Sequence, residues 1–161
     1  MSEKENHVIE TNKMDQLTFV NLRIPRLIPK ELIENVKGRT FTPDQFYKYQ
    51  ETQIDNPYNH LYALIDNLKK IHGYCWAEEN ILDNSLFVNT FSINKEYWGK
   101  GEAMPKVIEF IDRLRKKLKS PRVFWVTCNE KFFKKHNFKI SKNVLMEYNE
   151  EKEKEVENGT K

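Results

Sequence analysis

The stretch Ser92-Ile93-Asn94-Lys95-Glu96-Tyr97-Trp98-Gly99-Lys100-Gly101-Glu102-Ala103 joins a predicted strand to a long predicted helix through a turn with two glycines. A glycine turn that enters a helix exposes several backbone N–H groups, and the helix dipole adds partial positive charge there. Glycine also lets the backbone approach a phosphate oxygen closely, because no Cβ stands in the way. The stretch therefore predicts a strand–turn–helix unit whose turn can hold a diphosphate.

Two common phosphate-binding motifs do not fit this turn. A Walker loop requires Gly-x-x-x-x-Gly-Lys followed by Ser or Thr, but Gly101 follows Gly99-Lys100, and Asn94 stands at the first glycine position. A dinucleotide fingerprint requires a third glycine where this chain has Met104. The turn therefore either holds phosphate in another way or only connects the strand to the helix.

Hydrophobic periodicity predicts the elements around the turn. Thr42-Pro43-Asp44 is typical of a helix start, with Thr as the cap and Pro in the first turn. The predicted strands are Leu17–Ile24, His60–Asp66, Ile71–Glu78, Leu86–Ile93, Arg122–Thr127 and Asn143–Tyr148. The predicted helices are Pro29–Lys37, one that starts at Thr42 and ends before Pro57, Glu102–Lys119 and Glu130–His136.

The order of these elements is β-α-α-β-β-β-α-β-α-β. It predicts an α/β (α+β) protein with a central mixed β-sheet and helices on both faces. In the long helix, one apolar face is formed by Val107, Ile111, Leu114 and Leu118. We expect the strands Leu86–Ile93 and Arg122–Thr127 to be neighbours that splay after Ile93 and leave a cleft.

Composition narrows the class of protein. With 161 residues, of which 39% are hydrophobic, we expect a leader over 1–14, one domain over 15–149 and a charged flexible tail over 150–161. The net charge of +3 is too balanced to imply nucleic acid, and no apolar run approaches the roughly 18 residues of a membrane span. Cys75 and Cys128 form neither a disulfide scaffold nor a zinc pattern. These features favour a cytoplasmic protein without a metal.

The turn itself resembles the acetyl-CoA loop of the GNAT superfamily of N-acetyltransferases. That loop reads [Gln/Arg]-x-x-Gly-x-[Gly/Ala], and Gly101 and Ala103 match its two small positions. Trp98 stands where the family prefers Gln or Arg.

A second stretch, Asn129-Glu130-Lys131-Phe132-Phe133-Lys134-Lys135-His136-Asn137-Phe138, is similar to the Asn…Leu-Tyr-Glu-Lys-Leu-Gly-Phe segment of the same family. Phe138 matches the closing Phe. Asn137 takes the usual Gly position, where a left-handed turn is plausible for Asn. The resemblance covers about Leu17 to Tyr148, and thus most of the chain.

The resemblance implies that acetyl-CoA is a cosubstrate and that an acetyl group passes to a primary amine by direct attack in a ternary complex. The pantetheine would run beside Phe91–Ile93 and bond to the main chain there. The protein would be a monomer or homodimer, with no membrane or nucleic-acid partner. The residues implied to bind acetyl-CoA are Phe91, Ile93, Trp98, Gly99, Lys100, Gly101, Glu102, Ala103, Met104, Asn129 and Phe133.

The catalytic groups depart from the family pattern. The family often uses a Tyr as general acid where this chain has Phe133, and phenylalanine has no proton to donate. Tyr148, Cys128, His136 or water would then protonate the CoA thiolate, or the thiolate leaves unaided. No carboxylate lies on the strand before the turn, so the candidates for the base are Glu78, Glu79 and Asp83.

These departures leave a second hypothesis open. The chain is then a non-catalytic protein of the same fold, either a CoA sensor or a structural, virion-associated interaction module. Small, Lys- and Asn-rich proteins of this kind with eroded motifs are common in bacteriophages. A phage source would place the protein in the host cytoplasm or the virion.

Overall fold

The structure of the protein is a computed structural model that describes residues 13–36, 38–125 and 130–141. The strands are β1 (Thr18–Asn21), β2 (Asn59–Ile65), β3 (Ile71–Asn80), β4 (Ser85–Ile93) and β5 (Arg122–Trp125). The α-helices are α1 (Lys30–Glu34), α2 (Pro43–Thr52), α3 (Ala103–Lys117) and α4 (Glu130–Lys135). Short 3-10 turns lie at Lys13–Gln16, Pro25–Leu27 and Lys95–Tyr97.

The chain divides into two units, Met1–Thr127 and Cys128–Lys161, and only α4 of these elements belongs to the second. The predicted leader ends in the 3-10 turn at Lys13–Gln16, where Met14 is buried against Leu17. The predicted strand Asn143–Tyr148 lies outside the described residues.

The first unit contains a mixed sheet in the order β1-β2-β3-β4-β5. The pairs β1–β2, β2–β3 and β3–β4 are antiparallel, and β4–β5 is parallel. The described part of β5 pairs with the start of β4, from Ser85 opposite Arg122 to Val88 opposite Trp125. The prediction that these two strands are neighbours is therefore confirmed. The splaying and cleft expected after Ile93 stay a prediction.

Helices cover both faces of the sheet, as the sequence predicts. On one face, residues of α1 and α2 such as Leu32, Ile33 and Phe46 pack against Leu61 and Tyr74. On the other face, α3 packs against the side chains of β3 and β4. The buried residues of that cluster are Cys75, Ala77, Leu86, Val88, Val107, Phe110, Ile111 and Leu114. The sheet therefore has one apolar core on each side.

The start of α2 agrees with the sequence in detail. The Thr42 hydroxyl accepts a bond from the Gln45 backbone N–H (3.2 Å), and the Gln45 side chain accepts one from the Thr42 backbone N–H (2.8 Å). This capping box satisfies two N–H groups that a helix start otherwise leaves unpaired. The predicted strand Leu17–Ile24 is too long, because after β1 the chain turns away into the 3-10 turn that begins at Pro25.

A bulge in β4 changes which side chains share a face. Val88 pairs with Ala77 and Thr90 with Trp76, so Asn89 is an extra residue in the ladder. As a result Val88 and Phe91, three positions apart, both pack on the α3 side. Beyond the bulge, the Ser92 hydroxyl points to the other face and donates to the Leu32 carbonyl of α1.

Near the end of β4 its backbone leaves no room for a side chain at Gly73 of β3. A Cβ on Gly73 of β3 would lie 2.6 Å from the Ser92 carbonyl oxygen and 3.3 Å from the Ile93 Cα. Both are backbone atoms, which cannot rotate away. Gly73 therefore allows the approach that holds the end of β4 in place.

We predict that Gly73→Ala lowers the free energy of unfolding by about 1–3 kcal/mol, the usual cost of overpacking a close-packed site. For a chain of this size that corresponds to a drop in Tm of roughly 2–4 °C per kcal/mol, measured by thermal unfolding. An unchanged Tm would show that the two strands separate at little cost.

Candidate functional site

The segment between β4 and α3 is anchored at both ends before it reaches the glycines. The Asn94 backbone N–H donates to the His72 carbonyl of β3 (2.8 Å), and the chain then makes the 3-10 turn Lys95–Tyr97. Tyr97 is buried in a small cluster with Leu64 and Ile93. The turn after Tyr97 therefore starts from a fixed position at the end of the sheet.

Trp98 fixes the first residue of the glycine turn. Its indole N–H donates to the Ile93 carbonyl (3.0 Å), and its backbone N–H donates to the Lys95 carbonyl (3.0 Å). The Lys95 ammonium lies 5.8 Å from the centre of the indole ring. Where the family prefers Gln or Arg, this chain thus has a side chain that ties the turn back to β4.

Both glycines of the turn have a conformation that favours glycine. Gly99 has φ +72° and Gly101 has φ +70°, in the left-handed region. Among the described residues other than its two chain neighbours, no atom lies within 4 Å of the position that a Cβ would take at either glycine. Glycine is therefore needed here for the backbone conformation, and the space in front of the turn is open.

Within the described part of the chain, the backbone N–H groups of this turn are at most weakly bonded. No well-formed hydrogen bond there uses the N–H of Gly99, Lys100, Gly101 or Glu102. Glu102 is the N-cap of α3, and its side chain caps no N–H group. These donors stand at the start of a helix of 15 residues, where the dipole favours an anion.

The charge and support of the turn also suit an anion. Lys100 is exposed in its centre. Ala103 and Met104 pack against the two buried clusters on either side of the first turn of α3. The N–H groups are thus held in place by packing, and the residues present fit a diphosphate.

The predicted pantetheine strand has one main-chain acceptor already in use. The Ile93 carbonyl binds the indole of Trp98, and the Ile93 side chain is buried. Phe91 is half-buried on the α3 side of the sheet. Bonds from pantetheine to the main chain at Phe91–Ile93 stay a prediction.

The predicted carboxylates lie toward the other end of β4. Glu78 is opposite Phe87 and accepts a bond from the Tyr49 hydroxyl (3.1 Å). Asp83 lies in the turn that precedes β4 and accepts from the Ser85 hydroxyl. The nine residues of β4 span about 25–30 Å, so that length separates Asp83 from the glycine turn. A catalytic role for either carboxylate stays a prediction.

The second unit contains the end of α4, where one prediction is confirmed. Asn137 has φ +66°, the left-handed turn expected for the residue at the family's glycine position. The Phe138 N–H donates to the Phe133 carbonyl (3.0 Å), and the two rings meet edge to face at 5.1 Å. This is a Schellman helix end with its hydrophobic contact. Asn129, Cys128 and Tyr148 lie outside the described residues.

Cys75 is a free thiol in the core of the sheet. Burial raises the pKa of this thiol to about 12. Since the thiolate is the nucleophile, Cys75 is inert at neutral pH. Over the ranges that the structure describes, no three His, Cys, Asp or Glu side chains come together as a metal site, and no helix is long and apolar enough to cross a bilayer.

Two histidines that show no metal-ligand spacing in the sequence have carboxylate partners in the structure. His60 lies 2.7 Å from Glu79, and His72 lies 2.8 Å from Asp66 across the β2–β3 turn. The sequence does place Asp66 and His72 on either side of a tight turn, and this spacing indicates a His–carboxylate pair across the turn.

Comparisons with known proteins complete this picture. No protein-family model and no curated protein sequence matches the chain. Solved structures do: a possible acetyltransferase of Clostridium difficile 630 has a TM-score of 0.65 at 14% identity, over 83% of this chain and 97% of that one. The fold is that of the GNAT N-acetyltransferases.

Another neighbour with the GNAT fold is a point mutant of the spermidine N-acetyltransferase SpeG from Vibrio cholerae. It has a TM-score of 0.66 at 19% identity, over 83% of this chain and 86% of its own. A dodecameric structure of the same enzyme in an intermediate state has a TM-score of 0.64 at 19% identity, over 83% and 85% of the two chains. At these identities the likeness shows a shared fold.

We predict that Gly101→Asp weakens the binding of CoA by at least about tenfold, or 1.4 kcal/mol, measured by calorimetric titration. The variant places a side chain at a left-handed position and a negative charge beside the N–H groups. Gly101→Asn is the matched control, because Asn tolerates the left-handed region and carries no charge. We expect it to lose less affinity. A folded Gly101→Asp protein with wild-type affinity would show that the turn is only a connector.

Proposed function

We propose that the protein is an N-acetyltransferase that uses acetyl-CoA as cosubstrate and a primary amine as acceptor. One observation carries the proposal. At the start of α3 the backbone N–H groups of residues 99–102 make no well-formed hydrogen bond within the described residues, in a turn built from two left-handed glycines and tied to β4 by the indole of Trp98. The shared fold supports this, since its solved neighbours include acetyltransferases.

In the proposed binding mode, the diphosphate of CoA accepts hydrogen bonds from these N–H groups. Lys100 lies in the same turn and adds positive charge at the rim. Pantetheine then extends along β4 from its end toward its start. The acetyl group would thus lie away from the glycine turn, on the side of the strand where Glu78 is placed.

The reaction is a direct transfer. The neutral amine attacks the thioester carbonyl, a C–N bond forms, and the C–S bond breaks to release the CoA thiolate. Glu78, or a water molecule beside it, takes the proton that the amine loses. The thiolate takes a proton from solvent, because this chain has Phe133 at the sequence position where the family often has a proton-donating Tyr. Within the described residues the one thiol, Cys75, is buried and inert, which favours direct attack over an acyl-enzyme.

The neighbours give a first acceptor to test, and the buried thiol is the ground for the proposed setting. The SpeG neighbours act on spermidine, so spermidine is the first amine to test. We propose that the protein works in the cytoplasm, where a free buried thiol such as Cys75 stays reduced. A monomer or homodimer is expected, and a dodecamer like that of SpeG would be seen at once by sedimentation.

A second candidate is a CoA-binding protein without catalysis. The observation that favours it is Phe133, because general acid catalysis typically contributes about 10²–10⁴-fold to a rate. The lost factor slows an enzyme without abolishing turnover, since a CoA thiol is not a very basic leaving group. The two candidates therefore differ in turnover, while both bind CoA.

The test is a thiol-release assay at saturating acetyl-CoA over a panel of amines that includes spermidine. We predict measurable turnover in the wild-type protein and faster turnover in Phe133→Tyr, at nearly unchanged acetyl-CoA affinity, because the hydroxyl restores a proton donor. Phe138→Tyr is the matched control, since it adds the same hydroxyl to the neighbouring ring, and we expect no gain from it.

The other outcomes are equally informative. A Phe133→Tyr protein slower than an active wild type would contradict the alignment of Phe133 with the family's Tyr. Binding of acetyl-CoA without turnover in either protein would favour the non-catalytic candidate. No binding at all would rule out both.

A further inference from the structure

His72 occupies an irregular position in β3 beside the segment that leads to the glycine turn. Gly73 pairs with Leu64 and Ile71 with Ile65, so His72 is an extra residue in the ladder. Bulges of this kind re-aim a side chain, often next to functional sites. The His72 side chain is 8% exposed, so its ring is held inside the protein.

The ring of His72 joins two segments that are otherwise separate. Its Nε2 lies 2.8 Å from the Asp66 carboxylate, in the turn between β2 and β3. Its Nδ1 lies 3.3 Å from the Asn94 amide nitrogen and 3.5 Å from the Glu96 carboxylate, both in the segment that precedes Trp98. The two ring nitrogens therefore link the hairpin turn to the start of the candidate site.

The chemistry of these partners fixes where the protons lie. A hydrogen bond from His72, together with backbone N–H bonds from Lys70 and Leu68, lowers the pKa of Asp66. Asp66 is thus ionised and only accepts, so Nε2 carries a hydrogen. In the tautomer whose hydrogen is on Nε2, Nδ1 is the bare nitrogen and can accept a hydrogen bond from the Asn94 amide.

Protonation of His72 at Nδ1 replaces the contact with the Asn94 amide by a contact with the Glu96 carboxylate. A proton there opposes the donor of Asn94 and attracts the carboxylate of Glu96, which is half exposed. It therefore tightens the contact to the 3-10 turn Lys95–Tyr97 and neutralises a negative charge two residues before Trp98. Both effects favour an anion at the N–H groups of residues 99–102.

The groups that face the His72 ring are anionic or neutral, which is consistent with a protonated ring. They are Asp66 from the hairpin turn, and Glu96 and Tyr97 from the 3-10 turn. The Tyr97 ring meets the imidazole edge to face at 5.7 Å. Burial, and then Glu96 and Asp66, raise the pKa of Tyr97, so it is neutral. Among the residues that the structure describes, no cationic side chain is found against the ring.

We propose that His72 is a positioning residue of the diphosphate site, which takes up a proton when the anionic ligand binds and passes the effect through Glu96 to the glycine turn. The inference rests on the proposed binding of CoA. It adds that pH regulates CoA binding at that site. Protonation of His72 strengthens binding, and binding in turn favours protonation of His72.

The probe is dephospho-CoA, which keeps the diphosphate and lacks the titrating 3′-phosphate of CoA. Calorimetric titrations from pH 8.5 to 5.5, in buffers with different ionisation enthalpies, give both the affinity and the number of protons taken up. For the wild-type protein we expect affinity to rise about fivefold as the pH falls, with uptake of a fraction of a proton.

Two variants identify the group that titrates. His72→Gln keeps an amide donor and acceptor without a titrating ring, and we expect it to bind with no proton uptake and a flat pH profile. Glu96→Gln removes the carboxylate at a half-exposed position, so it keeps the test valid even if His72→Gln fails to fold. We expect a flatter profile there too. Glu109→Gln, on the exposed side of α3, is the matched control and should behave as wild type.

The outcomes separate this inference from the proposed function. Binding with the wild-type pH profile and proton uptake in His72→Gln or in Glu96→Gln would overturn the role of His72 alone. A wild-type protein that binds no dephospho-CoA at any pH would overturn the proposed function and this inference with it.

Discussion

The rest of the structure depends on how the chain accommodates the backbone N–H groups between β4 and α3. A helix start leaves up to four N–H groups without internal partners, and buried donors of that kind cost free energy. In this chain residues 99–101 are exposed, so their donors can be solvated or can bind a ligand. Gly99 and Gly101 allow this by taking left-handed conformations that few other residues adopt.

Holding those groups in one place depends on the sheet behind them. The close approach of Gly73 to Ser92 and Ile93 keeps the end of β4 against β3. From there the Asn94 N–H bonds to His72, and the Trp98 indole bonds back to Ile93. A site built from strand ends and packed side chains is more rigid than one built on a free loop.

Local signals in the sequence predicted much of the fold. The cap at Thr42, the stripe over Val107, Ile111 and Leu114, and the left-handed turn at Asn137 each depend on a few neighbouring residues. Such signals can be read without knowing the partner strand or helix. The sequence also predicted that β4 and β5 are neighbours in a mixed sheet, and the structure shows that they are parallel.

Other features depend on contacts between distant residues, and the sequence does not carry them in readable form. The bulges at Asn89 and His72 appear only when two strands are paired, since each is defined by a missing partner. In the sequence, Trp98 is a departure from the family pattern. In the structure, its indole bonds to Ile93 and anchors the turn. The glycines were expected to matter for close approach to phosphate, and the structure adds the conformational reason.

The most direct measurement follows the glycine N–H groups themselves. Only five glycines are present, so a protein labelled with 15N-glycine gives a simple NMR spectrum. Our account predicts that CoA shifts the N–H signals of Gly99 and Gly101 strongly and leaves that of Gly38, in the loop before α2, unchanged. CoA binding that leaves the Gly99 and Gly101 signals in place would contradict it.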